Sequence, residues 1–205
     1  MNPKQLSLNR AVLTNKSVTT ITPQDATEAL EYVLSRAQQV FAYLHYRMLV
    51  HNKDPKAEAD ALIVLKNAAL ESSLMSIRDL DLFFVSKRHW DDDIIASDYG
   101  FVPKHRPLDK TQRKSINKKL AHITCHAGRE LRLDPTKRNP RTWKYADLVE
   151  RTMKPVLDFM DHLNSSRFPM DANLRDLLDA THSTVLVNLQ KLAALSKEEL
   201  NGVKE

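Results

Sequence analysis

The apolar positions of the chain repeat at helical spacing over most of its length. Leu30, Val33, Leu34, Ala37, Phe41, Leu44 and Met48 recur at steps of three and four, the spacing of one face of an α-helix. Thr22-Pro23-Gln24-Asp25 supplies a hydroxyl N-cap, a proline at the first position and an early carboxylate. A first helix is therefore expected from residue 22 to about His51. Asp54-Pro55 restarts the pattern, and Leu62, Leu65, Ala69, Leu70, Leu74, Ile77, Phe84 and Val85 carry a second helix to about Ser86. The short connection predicts an antiparallel hairpin. The rhythm stops between Arg88 and Leu108, a stretch with Trp90, three consecutive aspartates, Gly100, Pro103 and Pro107, and a short turn is expected over 93–97. A third helix is expected from Asp109 as N-cap to about Ala127, with Ile116, Leu120 and Ile123 as its stripe. A fourth runs from about Thr142 to Asn164, where Pro155 predicts a kink or break, and a fifth from about Asp171 to Leu195. Met48, Met75, Met153 and Met160 read as core filler. Strand-like alternation is nowhere sustained, so the fold class is all-α: an antiparallel bundle of four to five long helices.

Isolated amphipathic helices are marginal in water, so these need one another and imply one domain over residues 22–197. Residues 1–21 are expected to form a flexible arm and 198–205 a tail. Three glycines among 205 residues argue against Rossmann folds, P-loops and β-sandwiches, which spend glycine on phosphate loops and tight turns. A single cysteine, Cys125, excludes an internal disulfide or a thiolate zinc cluster within one chain. No stretch approaches the roughly 20 apolar residues of a membrane span. The first residues lack the apolar core of a secretory signal, which makes the cytoplasm the expected location.

Charge is segregated. The net charge is +5, yet between Phe101 and Tyr145 there are 13 Lys or Arg against 3 Asp or Glu, while the rest of the chain holds 18 against 23. Such a segment suggests a basic surface for an anionic partner, nucleic acid first. The competing reading packs it beside Asp91, Asp92, Asp93 and Asp98 and neutralises it there.

Candidate chemistry falls on two strings. On the second helix, Glu71 and Arg78 project within roughly 20° of each other on the flank of the apolar stripe, but about 10 Å apart along the axis, too far to bond directly. On the third, Ser115, Lys118, His122, His126 and Arg129 share a polar face that includes two imidazoles one turn apart. An imidazole titrates near neutrality and can exchange protons or hold phosphate; the alternative is a histidine bonded to a backbone carbonyl or buried carboxylate. His122 and His126 also have the spacing that clamps a metal from one helix turn. Ile123, however, stands where the zincin pattern places glutamate, and a third ligand would have to come from the aspartate run, whose commoner role is to cap turns. No cofactor is indicated.

At these two strings the sequence resembles the HEPN superfamily of small helical bundles, over residues 55 to about 130. Glu71, Ser72, Arg78, Leu80, Phe83 and Phe84 fit its Glu-Ser-x5-Arg-x-Leu-x2-Phe/Leu-Phe helix. The resemblance implies a later Arg-x4-6-His motif. In ribonucleolytic members its two residues, usually from two subunits, bind a phosphate and assist metal-independent attack by the ribose 2′-hydroxyl. His122 matches the histidine. Asn117 stands where Arg-x4-His places the cation, Lys118 gives a shorter spacing and Arg113 a longer one. An amide cannot stabilise a developing phosphorane charge as a guanidinium does. The segment 117–124 also resembles bacterial helical proteins with an Asn-Lys-x-Leu-Ala-His-Ile/Leu-Thr core after an aspartate-rich loop, which directs attention to Arg78, Asp93, His122 and Arg129.

The expectation is thus a non-catalytic bundle, homodimeric, that binds RNA or another anionic partner such as an acidic protein. His122, Arg78 and Asn117 are its candidate catalytic positions, and Lys118, Lys119, His126, Arg129, Glu71 and Asp93 its candidate binding positions. The alternatives are a metal-independent ribonuclease of toxin or phage-defence type and a metal-dependent hydrolase built on His122 and His126.

Overall fold

The structure, a computed structural model, describes residues 21–50, 59–85, 90, 93–121, 144–166 and 168–195, with backbone alone at 50, 59–63 and 118–121. The described residues are all-α, with no strand among them. Among the described residues the helices are α1 (Pro23–Gln39), α2 (Ala42–Val50), α3 (Ala59–Phe83), α4 (Lys110–Ala121), α5 (Tyr145–Ser165) and α6 (Ala172–Ala194), with a 3-10 turn at Ala96–Tyr99.

Helix starts follow local chemistry. Thr22 Oγ1 accepts the Asp25 N–H at 3.1 Å while Asp25 Oδ2 accepts the Thr22 N–H at 3.0 Å, a reciprocal capping box ahead of Pro23. Asp109 and Gln112 form the same exchange at the start of α4, at 2.8 and 3.0 Å. Asp171 caps α6 through the Leu174 N–H at 2.8 Å.

Side-chain pairings fix the topology. Tyr32 meets Asp79 and Tyr43 meets Ser73, so α3 runs antiparallel to α1 and α2. His182 meets Asp161 and Asn164 meets Asp179, so α6 runs antiparallel to α5. Gln38 bonds Thr181 at 2.9 Å and His45 bonds Asn188 at 3.1 Å, both partners advancing together, so α6 lies parallel to α1 and α2. Tyr145 sits at the Val40 level and Phe159 packs on Phe83, which makes α5 parallel to α3. Two antiparallel hairpins are therefore joined by the long crossover that carries α4. One end of the bundle is filled by edge-to-face and tilted rings: Phe83, Phe84, Tyr99, Phe101, Phe159 and Phe168, which include five of the six phenylalanines.

The expected continuous helix from 22 to 51 is divided at Val40–Phe41. The Phe41 N–H turns back to Gln38 O at 3.2 Å, and regular bonding resumes with His45 N–H to Phe41 O at 3.0 Å. No glycine or proline causes this. The backbone groups freed by the break find side-chain partners from other helices: Tyr145 Oη donates to Val40 O at 2.6 Å, and Ser73 Oγ accepts the Tyr43 N–H at 3.0 Å. With those partners Val40, Phe41, Tyr43 and Leu44 are all fully buried.

At Pro155 the expected break does not occur, and α5 continues through it. Pro155 has no N–H to donate to Arg151 O, a loss on the order of 3 kcal/mol with the ring clash. Met153, Val156, Phe159, Met160 and Leu163 keep the helix packed on both sides of it. Two expected core positions are exposed, Met48 by 38% and Leu65 by 57%. They sit with exposed Leu49 and Val64 at the α2–α3 end of the hairpin, and among the described side chains of α3 the first buried one is Leu70. The restart at Asp54-Pro55 and the stretch of the third helix beyond Ala121 lie outside the described residues.

Candidate functional site

A cleft of about 960 Å³ opens between α1 and the C-terminal half of α3, closed at one side by Val85, Trp90 and the stretch 93–95. Arg78 and Asp93, singled out from the sequence, both line it. The wall from α1 is Val33, Tyr32 and Arg36, and the floor includes Leu80 and Phe83. Leu82 and Trp90 are exposed at its margin.

Two polar side chains in the cleft converge on the carboxylate of a third, Asp79. Tyr32 Oη donates to Asp79 Oδ2 at 2.7 Å, and Arg36 Nε lies 3.0 Å from the same oxygen, an ion pair with poor hydrogen-bond alignment. The Arg36 guanidinium also stacks 4.7 Å above the Tyr32 ring and donates to Gln39 Oε1 at 2.8 Å. Burial first, and then the Asp79 carboxylate it bonds, push the Tyr32 phenol up from its ordinary value. Asp93 accepts the Trp90 N–H at 2.7 Å, so it closes a turn, and Asp98 does the same for the Ile95 N–H at 2.8 Å. Arg78 differs. Its Nε, like that of Arg36, is shielded from water and has no hydrogen-bond partner, but unlike Arg36 its guanidinium has no ion pair among the described residues.

The other proposed site residues are not brought to this cleft. Glu71 is exposed, two turns earlier on α3, and Asn117 is exposed on α4. Lys118 and Lys119 lie on α4, with side chains outside the description. His122, Cys125, His126 and Arg129, together with Asp91 and Asp92, lie outside the described residues. Among the described residues no group of three or more His, Cys, Asp or Glu is placed to hold a metal ion.

Part of the basic segment is neutralised, but by a carboxylate that charge patterning did not single out. Asp81 on α3 is 1% exposed and accepts the Leu108 N–H at 3.0 Å, Arg113 Nε at 2.6 Å and Arg106 Nη2 at 3.3 Å. Arg113 Nη2 adds a bond to Leu108 O at 2.9 Å, and the carboxylate beside it holds the guanidinium above its ordinary value. The hint in the sequence was a carboxylate inside the apolar string Leu80-Asp81-Leu82-Phe83-Phe84, since a buried carboxylate requires a cation. Arg151 pairs with Asp109 at 3.5 Å, both half exposed. On the solvent side of α4, Lys110 and Lys114 stand one turn apart, exposed, and no ion pair reaches them among the described residues.

No helix among the described residues is long and apolar enough to cross a membrane. Comparison of the chain with protein-family models, with curated proteins and with solved structures finds no match in any of the three. The chain is thus an all-helical bundle without a recognised family.

Proposed function

We propose that this is a HEPN-like bundle that binds RNA without cleaving it, acting as a homodimer. The carrying observation is the cationic solvent face of α4. Lys110 and Lys114 project from it one turn apart without carboxylate partners among the described residues, while Arg106 and Arg113 are held on Asp81. Lys118 continues the same four-residue spacing in sequence. Phosphates are attracted to such a row by charge, and the bound counterions they release make the affinity salt-dependent. The HEPN-like component is supported by α3, where Glu71, Arg78, Leu80 and Phe83 share one helix with the leucine and phenylalanine buried. Asn117, an amide on the exposed face of α4, favours binding over phosphoryl chemistry.

The test is fluorescence anisotropy with a single-stranded RNA oligonucleotide across a salt series. The Lys110→Glu/Lys114→Glu variant is expected to weaken binding and to flatten the plot of log affinity against log salt by about 1.4, two phosphate contacts at about 0.7 each. RNA incubated with the protein and a chelator is expected to stay intact. Equal affinity and slope for variant and native protein would overturn the RNA reading, and cleavage without metal would overturn its non-catalytic part.

A further inference from the structure

The α1–α3 cleft does not depend on the RNA reading. It has the size of a small-molecule site and its walls are mostly apolar: Val33 from α1, Leu80 and Phe83 from α3, and Ile94 and Ile95 from the adjoining stretch. Two aromatic rings, Tyr32 and Trp90, stand at it half or more exposed. Its charges are unevenly committed: Asp79 is taken by Arg36 and Tyr32, whereas Arg78 carries a buried Nε donor with no acceptor. A buried donor left unmade is costly, and that cost is relieved by a ligand that supplies the acceptor.

The geometry points to this cleft as a binding site for a small amphipathic carboxylate, an aromatic ring or hydrocarbon body carrying a single carboxylate, with Arg78 as the residue that receives it. Turned into the cleft, the guanidinium presents its Nε–Nη edge, whose two parallel N–H groups match the two oxygens of a carboxylate. The apolar body lies along Leu82, Val85 and Ile94, the accessible apolar side chains of the lining, with Trp90 against its ring. A phosphate dianion suits the cleft less well, because Asp79 and Asp93 line it too and repel a second negative charge.

The probes are 2-naphthoate and its neutral counterpart 2-naphthamide. Each is titrated calorimetrically into the full chain, and the Trp90 indole N–H is followed by NMR, assigned with Trp143→Phe. The naphthoate is expected to bind saturably at one site and to shift the Trp90 resonance, and the amide to bind about tenfold more weakly. Arg78→Met is expected to bring naphthoate down to the level of the amide and to leave the amide unchanged, while Lys110→Glu/Lys114→Glu leaves both unchanged. Should Arg78→Met fail to fold by circular dichroism, Arg78→Lys serves, keeping the charge without the fork and losing several-fold. The proposal is overturned by absence of saturable binding, by equal affinity for acid and amide, by binding indifferent to Arg78, or by binding that leaves Trp90 unmoved.

Discussion

Two buried tyrosines show how one hydroxyl is a liability and another a tie. Tyr43 and Tyr145 are both fully buried and their rings meet edge to face at 4.9 Å. The Tyr43 Oη has no hydrogen-bond partner, whereas the Tyr145 Oη donates to Val40 O. Removing an unsatisfied buried hydroxyl recovers desolvation cost, so Tyr43→Phe is expected to raise stability by about 1 kcal/mol, read as a higher urea midpoint at unchanged slope. A lower midpoint would mean that the hydroxyl is bonded. Arg78 belongs to the same class of unpaired donor, but it borders a cleft where a ligand can supply what the protein does not.

Among the elements, the divided first helix separates what local sequence can encode from what it cannot. The starts of α1, α4 and α6 were legible at Thr22-Pro23, Asp109 and Asp171, because a cap and the amide it bonds lie within three residues. The break at Val40 was not, since the groups that accommodate it come from Ser73 and Tyr145, distant in sequence and adjacent only after folding. Tyr145→Phe strips the Val40 carbonyl of that partner and is expected to lower stability by about 1.5 kcal/mol in the same urea experiment, opposite in sign to Tyr43→Phe though both delete one phenolic oxygen. An unchanged midpoint would show that the carbonyl is satisfied otherwise. The candidate site divides in the same way. Arg78 and Asp93 were legible as residues, but the cleft they share needed α1 beside α3, and the pairing of Asp79 with Arg36 has no counterpart in spacing. The sink for the basic segment was missed because Asp81 meets Arg106 and Arg113 only once the crossover folds back onto α3.

The whole molecule is expected to be sensitive to alkali. Burial raises the phenols of Tyr43, Tyr99 and Tyr145 above the ordinary tyrosine value. A group whose pKa is higher folded than unfolded contributes stability that is fully present below the unfolded value, about 10, and is lost as pH climbs from there towards the folded one. These tyrosines join separate parts of the bundle: Tyr99 Oη donates to Ala26 O at 2.6 Å, tying the crossover to α1, and Tyr145 ties α5 to the α1–α2 break. In a pH titration followed by phenolate absorbance and far-ultraviolet circular dichroism, the signal of these three is expected to appear only together with loss of helix. Full ionisation of all five tyrosines with the helical spectrum intact would contradict this.

The parallel placement of α1 and α6 also determines how the protein could be re-cut. Because the two helices point the same way, the end of α6 lies at the opposite pole from the start of α1, a separation on the order of 35 Å for a helix of 23 residues. A circularly permuted form that fuses Ala194 to Pro23 needs a bridge of about ten extended residues laid along the outside of the bundle, and a tight tandem splice would pull the two hairpins out of register.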